Sequence, residues 1–321
     1  MNDIFDIVIV GYGPAGMTAA LYAARKQLSV ALIGELPGGE MRNSGDIENW
    51  IGDRKTDGNA LADKMIEHVK DHSDMVQTVL GKVVSITKTS LPLTKGELEG
   101  VRDVFVTTTE DGKEFKSKTV IYTAGRHPRM LNVPGEKEFK NLGVTYCATC
   151  DAPLFEGKDV VVIGGGNSGA EAVIMLQKIA NKIYLLQDTD HLIADPILVS
   201  NFDKDPKVTI ITNTQTLSIT GDTLVTGLTY KDTTTNTEHT LNVQGIFVTI
   251  GAIPNTAPIQ DLIELDPLRA IPADRYGITN VPGFFAAGDV TTIRDAQIVV
   301  AAGQGCSAAL SAGDYISRLP K

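Results

Sequence analysis

Apolar residues fall in short β-branched runs that alternate with stretches of helical spacing. The run Asp6-Ile7-Val8-Ile9-Val10 leads directly into Gly11-Tyr12-Gly13-Pro14-Ala15-Gly16. A continuous apolar run of this length predicts a parallel strand buried on both faces. Behind it, Ala15, Ala19, Ala20, Ala23 and Ala24 form a small-residue helical surface able to lie close to a sheet. Residues 28–34 predict the next strand. Residues 57–72 predict a helix, with Leu61, Met65 and Val69 at helical spacing. Residues 75–123 read as short strands with a hairpin turn at Asp111-Gly112. The opening pattern then returns as Asp159-Val160-Val161-Val162-Ile163 followed by Gly164-Gly165-Gly166-Asn167-Ser168-Gly169. Downstream, a Thr-rich polar hairpin is expected over 225–243 and a strand over 243–251. Phe284-Phe285-Ala286 should be a strand leading to Gly288-Asp289, and a small-residue helix should follow over about 296–316.

Both glycine turns have the form Gly-x-Gly-x-x-Gly in a strand–turn–helix setting. The first glycine permits the tight turn, the second lets the backbone approach a pyrophosphate, and the third lets helix and strand pack closely. The helix start then offers unpaired N–H groups and a positive dipole end to phosphates. One such turn is weak evidence, but two in this context imply two dinucleotides. Gly11, Gly13 and Gly16 are the candidates for one, and Gly164 and Gly166 with the helix start at Asn167 and Ser168 for the other. Glu35, just after the second strand, is placed to accept a hydrogen bond from a ribose 2′-OH; otherwise it is a solvated loop carboxylate. The expected fold is α/β, with two Rossmann-like dinucleotide-binding domains of three-layer β-β-α type. Residues 126–248 read as a domain inserted into a discontinuous one formed by 1–125 and 249–321. Two crossings, near 125 and 249, can act as a hinge.

The chain has 321 residues, enough for two domains and a large core without covalent staples. Its 31 glycines suit close backbone packing and nucleotide loops. A net charge of −10 argues against nucleic acid, whose binding needs Lys and Arg to neutralise phosphates. No stretch approaches the roughly 20 apolar residues that span a bilayer. The first residues lack the basic and apolar regions of a secretory signal. A cytoplasmic protein is the expectation.

Of the three cysteines, two form Cys147-Ala148-Thr149-Cys150. A two-residue spacer lets the sulfurs join within one turn, and neighbouring N–H groups lower a thiol's pKa. In such a setting the pair is redox-active or metal-binding. Zinc would want two further Cys or His ligands at similar spacing, and the sequence shows none. Asp151 follows directly, as a proton donor and acceptor for the opening disulfide or as a helix N-cap. Cys306 reads as a small buried hydrophobe, and His127 as structural or solvent-facing.

These motifs, in order, resemble those of low-molecular-weight bacterial thioredoxin reductases. The likeness rests on Gly11–Gly16, Gly38-Gly39, Glu48-Asn49-Trp50, Thr123-Ala124-Gly125, Val133-Pro134-Gly135-Glu136, Cys147–Asp151, Gly164–Ser168 and Gly288-Asp289. The chain is also similar to the flavoprotein subunit of alkyl hydroperoxide reductase without its N-terminal extension. Gly143-Val144-Thr145-Tyr146-Cys147 and Pro153-Leu154-Phe155-Glu156-Gly157-Lys158 lean that way. The resemblance implies FAD on the first glycine loop, including Pro14 and Ala15, with Glu35 on its ribose. It adds Gly39, Asn49, Gly125, Gly288, Asp289 and Gln297 to the FAD set. It makes Cys150 the flavin-proximal sulfur, Cys147 the sulfur that attacks the partner, and Asp151 the acid/base. It implies a homodimer whose inserted domain rotates.

Three departures stand out. NADPH enzymes of that family carry His-Arg-Arg-x-x-x-Arg after the second strand of the inserted domain. Here the stretch reads Gln187-Asp188-Thr189-Asp190-His191-Leu192-Ile193. Its carboxylates would repel a 2′-phosphate. The donor is then NADH, or the nicotinamide site is degenerate and a carrier such as reduced ferredoxin serves. Glu40 stands where Gln is usual, and Ala296 where a basic residue is usual beside Gln297. The expected activity is flavin-dependent reduction of a thioredoxin-like protein. The alternatives are the same chemistry serving a peroxiredoxin system, a non-nicotinamide donor, and a non-enzymatic flavin-binding sensor.

Overall fold

The computed structural model describes residues 4–44, 46–47, 49–92 and 101–319. Glu48 lies outside the described residues. In chain order the elements begin with β1 (Phe5–Val10), α1 (Pro14–Arg25), β2 (Val30–Gly34), β3 (Asp46–Ile47), β4 (Thr56–Asp57), α2 (Gly58–Lys70) and β5 (Val76–Leu80). Then come β6 (Val83–Pro92), β7 (Val101–Thr109), β8 (Glu114–Tyr122), β9 (Arg126–Pro128), β10 (Val144–Thr145), α3 (Ala148–Asp151), β11 (Asp159–Ile163), α4 (Asn167–Leu176) and β12 (Lys182–Leu186). The rest are α5 (Pro196–Val199), β13 (Val208–Ile211), β14 (Thr214–Gly221), β15 (Val225–Asp232), β16 (Thr237–Leu241), β17 (Gly245–Val248), β18 (Ala252–Pro254), β19 (Phe284–Ala286) and α6 (Ile298–Ser317).

Two compact units result. The first comprises 1–43, 50–127 and 253–321; the second comprises 44–49 and 128–252. The short strands β9 and β18 carry the chain between them and pair with each other.

In the first unit β1 is flanked by parallel β2 and β8, and the sheet runs β5-β2-β1-β8-β7-β6, with β19 parallel to the end of β8. Alternate residues of β1 serve the two faces, as the period of a strand requires. Val8 and Val10 join Phe105, Tyr122 and Phe284 in one core. On the helical side, α1 buries Ala19, Ala20, Ala23 and Ala24, and α6 buries Ala301, Gly305, Ala308, Ala309 and Ala312. The small side chains bring the helices together closely: a Cβ on Gly305 would sit 2.1 Å from the Ala15 carbonyl oxygen. Strand β2 starts at Val30. Ser29 instead pairs with Asp6, its N–H and hydroxyl both donating to the carboxylate at 2.9 Å.

The second unit has a parallel sheet, β10-β17-β11-β12-β13, and a separate antiparallel sheet, β14-β15-β16. Val160 and Val162 pack with α4 residues such as Val173 and Leu176. Val161 and Ile163 face Ile219, Leu228 and Tyr230 of the antiparallel sheet. The layers are therefore antiparallel sheet, parallel sheet and helices. The antiparallel sheet has three strands, since β14 joins the hairpin expected over 225–243. The strand expected over 243–251 is shorter, Gly245–Val248, with the Thr249 N–H still donating to Ile163 O at 2.8 Å and Gly251 at φ +96° beyond it.

Candidate active site

The two glycine turns are built alike. Gly11 N–H donates to Ile33 O at 2.8 Å, and Gly164 N–H to Leu186 O at 2.9 Å. Both first glycines have positive φ, +114° and +113°. Such a conformation suits only glycine without strain. A Cβ on Gly16 would lie 1.9 Å from Gly11 O, and one on Gly169 1.8 Å from Gly164 O. Each turn is closed by a threonine that the glycine pattern alone does not reveal. The Thr123 hydroxyl donates to Val10 O at 2.9 Å and lies 3.1 Å from Gly11 O. The Thr249 hydroxyl lies 2.9 Å from Ile163 O and 3.2 Å from Gly164 O. The signal was present as a second repeat, Thr123-Ala124-Gly125 against Thr249-Ile250-Gly251.

The middle glycines differ in kind. Gly13 has an extended backbone, φ −86° and ψ −173°, and a Cβ there would meet nothing within 4 Å. Its requirement for glycine comes from no protein neighbour. Helix α1 starts at this open space with no side-chain cap and no acid in its first turn. Gly166 repeats the geometry at the start of α4, with only Ile193 near, 3.9 Å from a Cβ. A dinucleotide pyrophosphate fits both places: donors without acceptors, space without side chains, and a positive helix end.

Around the first loop the structure brings together Pro14, Ala15, Gly39 and Gly288. A Cβ on Gly39 would lie 3.0 Å from Gly13 Cα, and one on Gly288 3.1 Å from Ala15 Cβ. Glu35 follows β2 and is exposed. Gly125 has φ +64° and open space at its Cβ. Gln297 is the extended residue just before α6, which begins at Ile298, and its side chain makes no capping bond to that helix. Asp289 is half-buried; burial raises its carboxyl pKa, Arg126 opposes that and Glu40 adds to it. Asn49 is exposed and groups with the second unit, in the segment whose strand β3 lies against α3.

The matched hydrogen bonds of Gly11 and Gly164 align the two units residue by residue. Gly34 then corresponds to Gln187, and Glu35 to Asp188. Sizes are exchanged across this position. In the first unit Tyr12 sits against Gly34, where a Cβ would be 2.7 Å from Tyr12 Cβ. In the second, Gly165 sits against the buried Gln187, whose Oε1 accepts from Gly165 N–H at 2.6 Å. The Gln187 amide also donates to Asp188 Oδ1 at 2.9 Å and to the Thr189 hydroxyl at 2.6 Å. Asp188 and Asp190 are exposed, and the nearby His191 ring is engaged by Asp190 at 2.5 Å. Asn167 and Asp195 exchange hydrogen bonds of 3.0 and 2.8 Å beside the glycine turn.

Cys147 and Cys150 are joined as a disulfide with Cα atoms 5.3 Å apart, both half-buried. Cys147 precedes the single-turn helix α3, and its carbonyl accepts from the N–H groups of Cys150 and Asp151 at 3.2 and 3.1 Å. Asp151 caps no helix with its side chain. Its carboxylate accepts from the Thr145 hydroxyl. Burial pushes the Asp151 carboxyl up from its ordinary value, and the Thr145 hydrogen bond partly opposes this. On the other side of the turn, the Tyr146 hydroxyl donates to Glu136 Oε1 at 2.9 Å. Glu136 is 1% exposed and also accepts from Leu131 and Asn132 N–H at 2.8 and 2.6 Å. Burial first, and then the Glu136 carboxylate, raise the Tyr146 phenol well above its usual value.

Two readings change or sharpen. Cys306 is half-exposed, not buried, because the core-facing row of α6 is filled by alanines and Gly305. The His127 ring is exposed and bonds Asn255 Oδ1 at 2.8 Å. Among the described residues no cluster of His, Cys, Asp and Glu could hold a metal, and no helix is long and apolar enough to cross a membrane.

A family model for pyridine nucleotide-disulphide oxidoreductases matches residues 5–305. The chain belongs to that family. Within it, a curated relative from Bacillus subtilis (strain 168), named NADH dehydrogenase, is 43% identical over 317 residues, covering 99% of this chain and 60% of the relative. An alkyl hydroperoxide reductase component of Pseudomonas putida is 42% identical over 319 residues, covering 99% of this chain and 59% of that one. The chain thus spans about three fifths of the length of these curated relatives. The crystal structure of thioredoxin reductase from Streptococcus pyogenes MGAS5005 superimposes with a TM-score of 0.88 at 35% identity, covering 99% of this chain and all of that one.

Proposed function

We propose that the chain is an FAD-dependent disulfide reductase that passes two electrons from a reduced donor to the Cys147–Cys150 disulfide and then to a thioredoxin-like or peroxiredoxin-system protein. The observation that carries this reading is the disulfide itself, half-buried at the start of α3, with Asp151 the next residue in the chain. Support comes from the family and from the likeness to a thioredoxin reductase over the whole of both chains.

In this reading FAD occupies the first glycine loop. Gly11, Gly13, Pro14, Ala15 and Gly16 with the α1 start hold its pyrophosphate, and Glu35 its ribose. Gly39, Asn49, Gly125, Gly288, Asp289 and Gln297 line the remainder. Bound there, FAD supplies two-electron transfer between a nicotinamide and a disulfide. The second loop, Gly164, Gly166, Asn167 and Ser168, holds the nicotinamide nucleotide. Asp188 stands where Glu35 stands in the first unit, so it accepts from an adenosine ribose 2′-OH. Residues 187–195 contain no Lys or Arg to clamp a 2′-phosphate. The donor in this reading is therefore NADH, in keeping with the name of the Bacillus subtilis relative.

The thiol chemistry then proceeds on the chain's own residues. Reduction breaks the S–S bond and leaves two thiolates, one of which takes a proton from Asp151. The Cys147 thiolate attacks the partner disulfide and releases one partner thiolate. Asp151 takes the proton back from Cys150, whose thiolate attacks Cys147 and releases the second. The reading carries a cytoplasmic homodimer. Steady-state assays with NADH and NADPH, each with thioredoxin and with a peroxiredoxin-system acceptor, test it. Turnover with NADH that is lost in Cys147→Ser is expected; fast NADPH turnover with slow NADH turnover contradicts the donor assignment.

A further inference from the structure

Thr145 is 5% exposed and held in β10, paired with Phe247 of β17. Its hydroxyl has two partners, and their chemistry fixes its proton. The ionised Asp151 carboxylate only accepts, so the hydroxyl donates to it. The Cys147 N–H only donates, and it reaches the same oxygen at 3.2 Å. One hydroxyl thus joins the carboxylate to the backbone of the first cysteine. No other side chain among the described residues has both partners. The elements packed on α3 carry few other ionisable residues: Asp46 in β3, Glu171 in α4, and none in the turn 152–155. The Asp151 carboxyl is set by its burial and by Thr145.

We propose that Thr145 is the positioning residue of the thiol–disulfide exchange, fixing the Asp151 carboxylate in register with the Cys147–Cys150 turn. The inference rests on the reading of Asp151 as acid/base given above. It assigns to a buried threonine the task of keeping that carboxyl aimed while the disulfide opens and closes.

The test uses the FAD-loaded protein with Cys306→Ser, so that the third thiol is silent. The protein is reduced with dithiothreitol, desalted anaerobically and mixed with 5,5′-dithiobis(2-nitrobenzoate). The Cys147 thiolate attacks one sulfur of this probe, forms a mixed disulfide and releases one thionitrobenzoate. The Cys150 thiol gives its proton to Asp151 and attacks Cys147 Sγ, restoring the internal disulfide and releasing the second. Two electrons leave the dithiol and reduce one probe disulfide. Thr145→Val is expected to slow the second release about tenfold, the value of one hydrogen bond to a charged group. It also moves the acid limb of that step to higher pH, because the carboxylate loses its donor. Thr145→Ser restores the rate to within about twofold and returns the limb, since it keeps the hydroxyl. Should Thr145→Val not fold, Thr145→Ala carries the same expectation. Wild-type rates and an unmoved limb in Thr145→Val overturn the proposal, as does a Thr145→Ser variant no better than Thr145→Val. Asp151→Asn separates the levels. If it keeps the acid limb, the acid/base reading itself fails; if it loses the limb while Thr145→Val is unchanged, only the role of Thr145 fails.

Discussion

Replacing Gly13 by alanine isolates ligand binding from folding. Most substitutions in a nucleotide loop confound the two. At Gly16 the added Cβ would lie 1.9 Å from a carbonyl oxygen, so the backbone must move. At Gly13 the backbone is already extended and the Cβ meets nothing within 4 Å. Apoprotein stability should therefore change by less than about 0.5 kcal/mol. The methyl instead fills the space at the start of α1 that a pyrophosphate needs. Losing one charge-assisted bond from the helix N–H groups costs about 1.5–3 kcal/mol, which is about 10- to 150-fold in affinity at 1.36 kcal/mol per tenfold. Losing two multiplies this. The assay is FAD titration into apoprotein, followed by quenching of flavin fluorescence, with urea unfolding of the apoprotein alongside. Gly166→Ala is the control: it should keep FAD and weaken nicotinamide binding by a similar factor. A Gly13→Ala variant that binds FAD like wild type, with unchanged stability, refutes the assignment of this space to the pyrophosphate.

Further predictions rest on other contacts. Cys147→Ser and Cys150→Ser should each abolish disulfide reduction and keep FAD, as shown by flavin absorbance; full activity in either breaks the electron route. Glu136→Ala leaves the N–H groups of Leu131 and Asn132 and the Tyr146 hydroxyl without their buried acceptor. At about 1–3 kcal/mol for each buried donor left without an acceptor it should cost about 3–5 kcal/mol in urea unfolding, whereas Tyr146→Phe, which removes one bond, should cost about 1 kcal/mol. Burial alone would raise the Asp6 carboxyl, but hydrogen bonds from Lys118 and Ser29 outweigh it and hold the pKa below its ordinary value. Its contribution to stability is therefore present above the unfolded-state value and lost as pH falls through the folded one. Thermal unfolding of wild type and Asp6→Asn should differ by about 1 kcal/mol at neutral pH and converge in that acidic window; a constant difference contradicts the linkage.

The glycine turns, the Cys147–Cys150 pair and the alternation of sheet and helix were legible because each is written in adjacent residues. Repetition made the two turns persuasive, whereas the closing role of the Thr123 and Thr249 hydroxyls went unread until the structure showed it. Long-range pairings were not legible. Nothing near Glu136 in the chain announces that it is buried and faces Tyr146, nor does the residue before Tyr146 announce that it holds Asp151. Such pairs are chosen by the packing of β10 and its neighbours, which local spacing does not encode. Cys306 was read as buried from its apolar surroundings in sequence. A helix has only one face toward the core, and the alanines of α6 had already taken it. The equivalence of Asp188 with Glu35 lay in the repeat itself, since each stands 24 residues after the first glycine of its turn, and the matching backbone hydrogen bonds place them alike.

Anaerobic reduction by NADH with thiol counting tests the electron route most directly. FAD-loaded wild-type protein is mixed with excess NADH, freed of nucleotide and titrated for thiols under denaturing conditions. The account predicts that two thiols per chain appear beyond Cys306, those of the Cys147–Cys150 disulfide. Cys147→Ser and Cys150→Ser should bleach their flavin with no thiol gained. Wild-type protein whose flavin bleaches while the disulfide stays closed would contradict it.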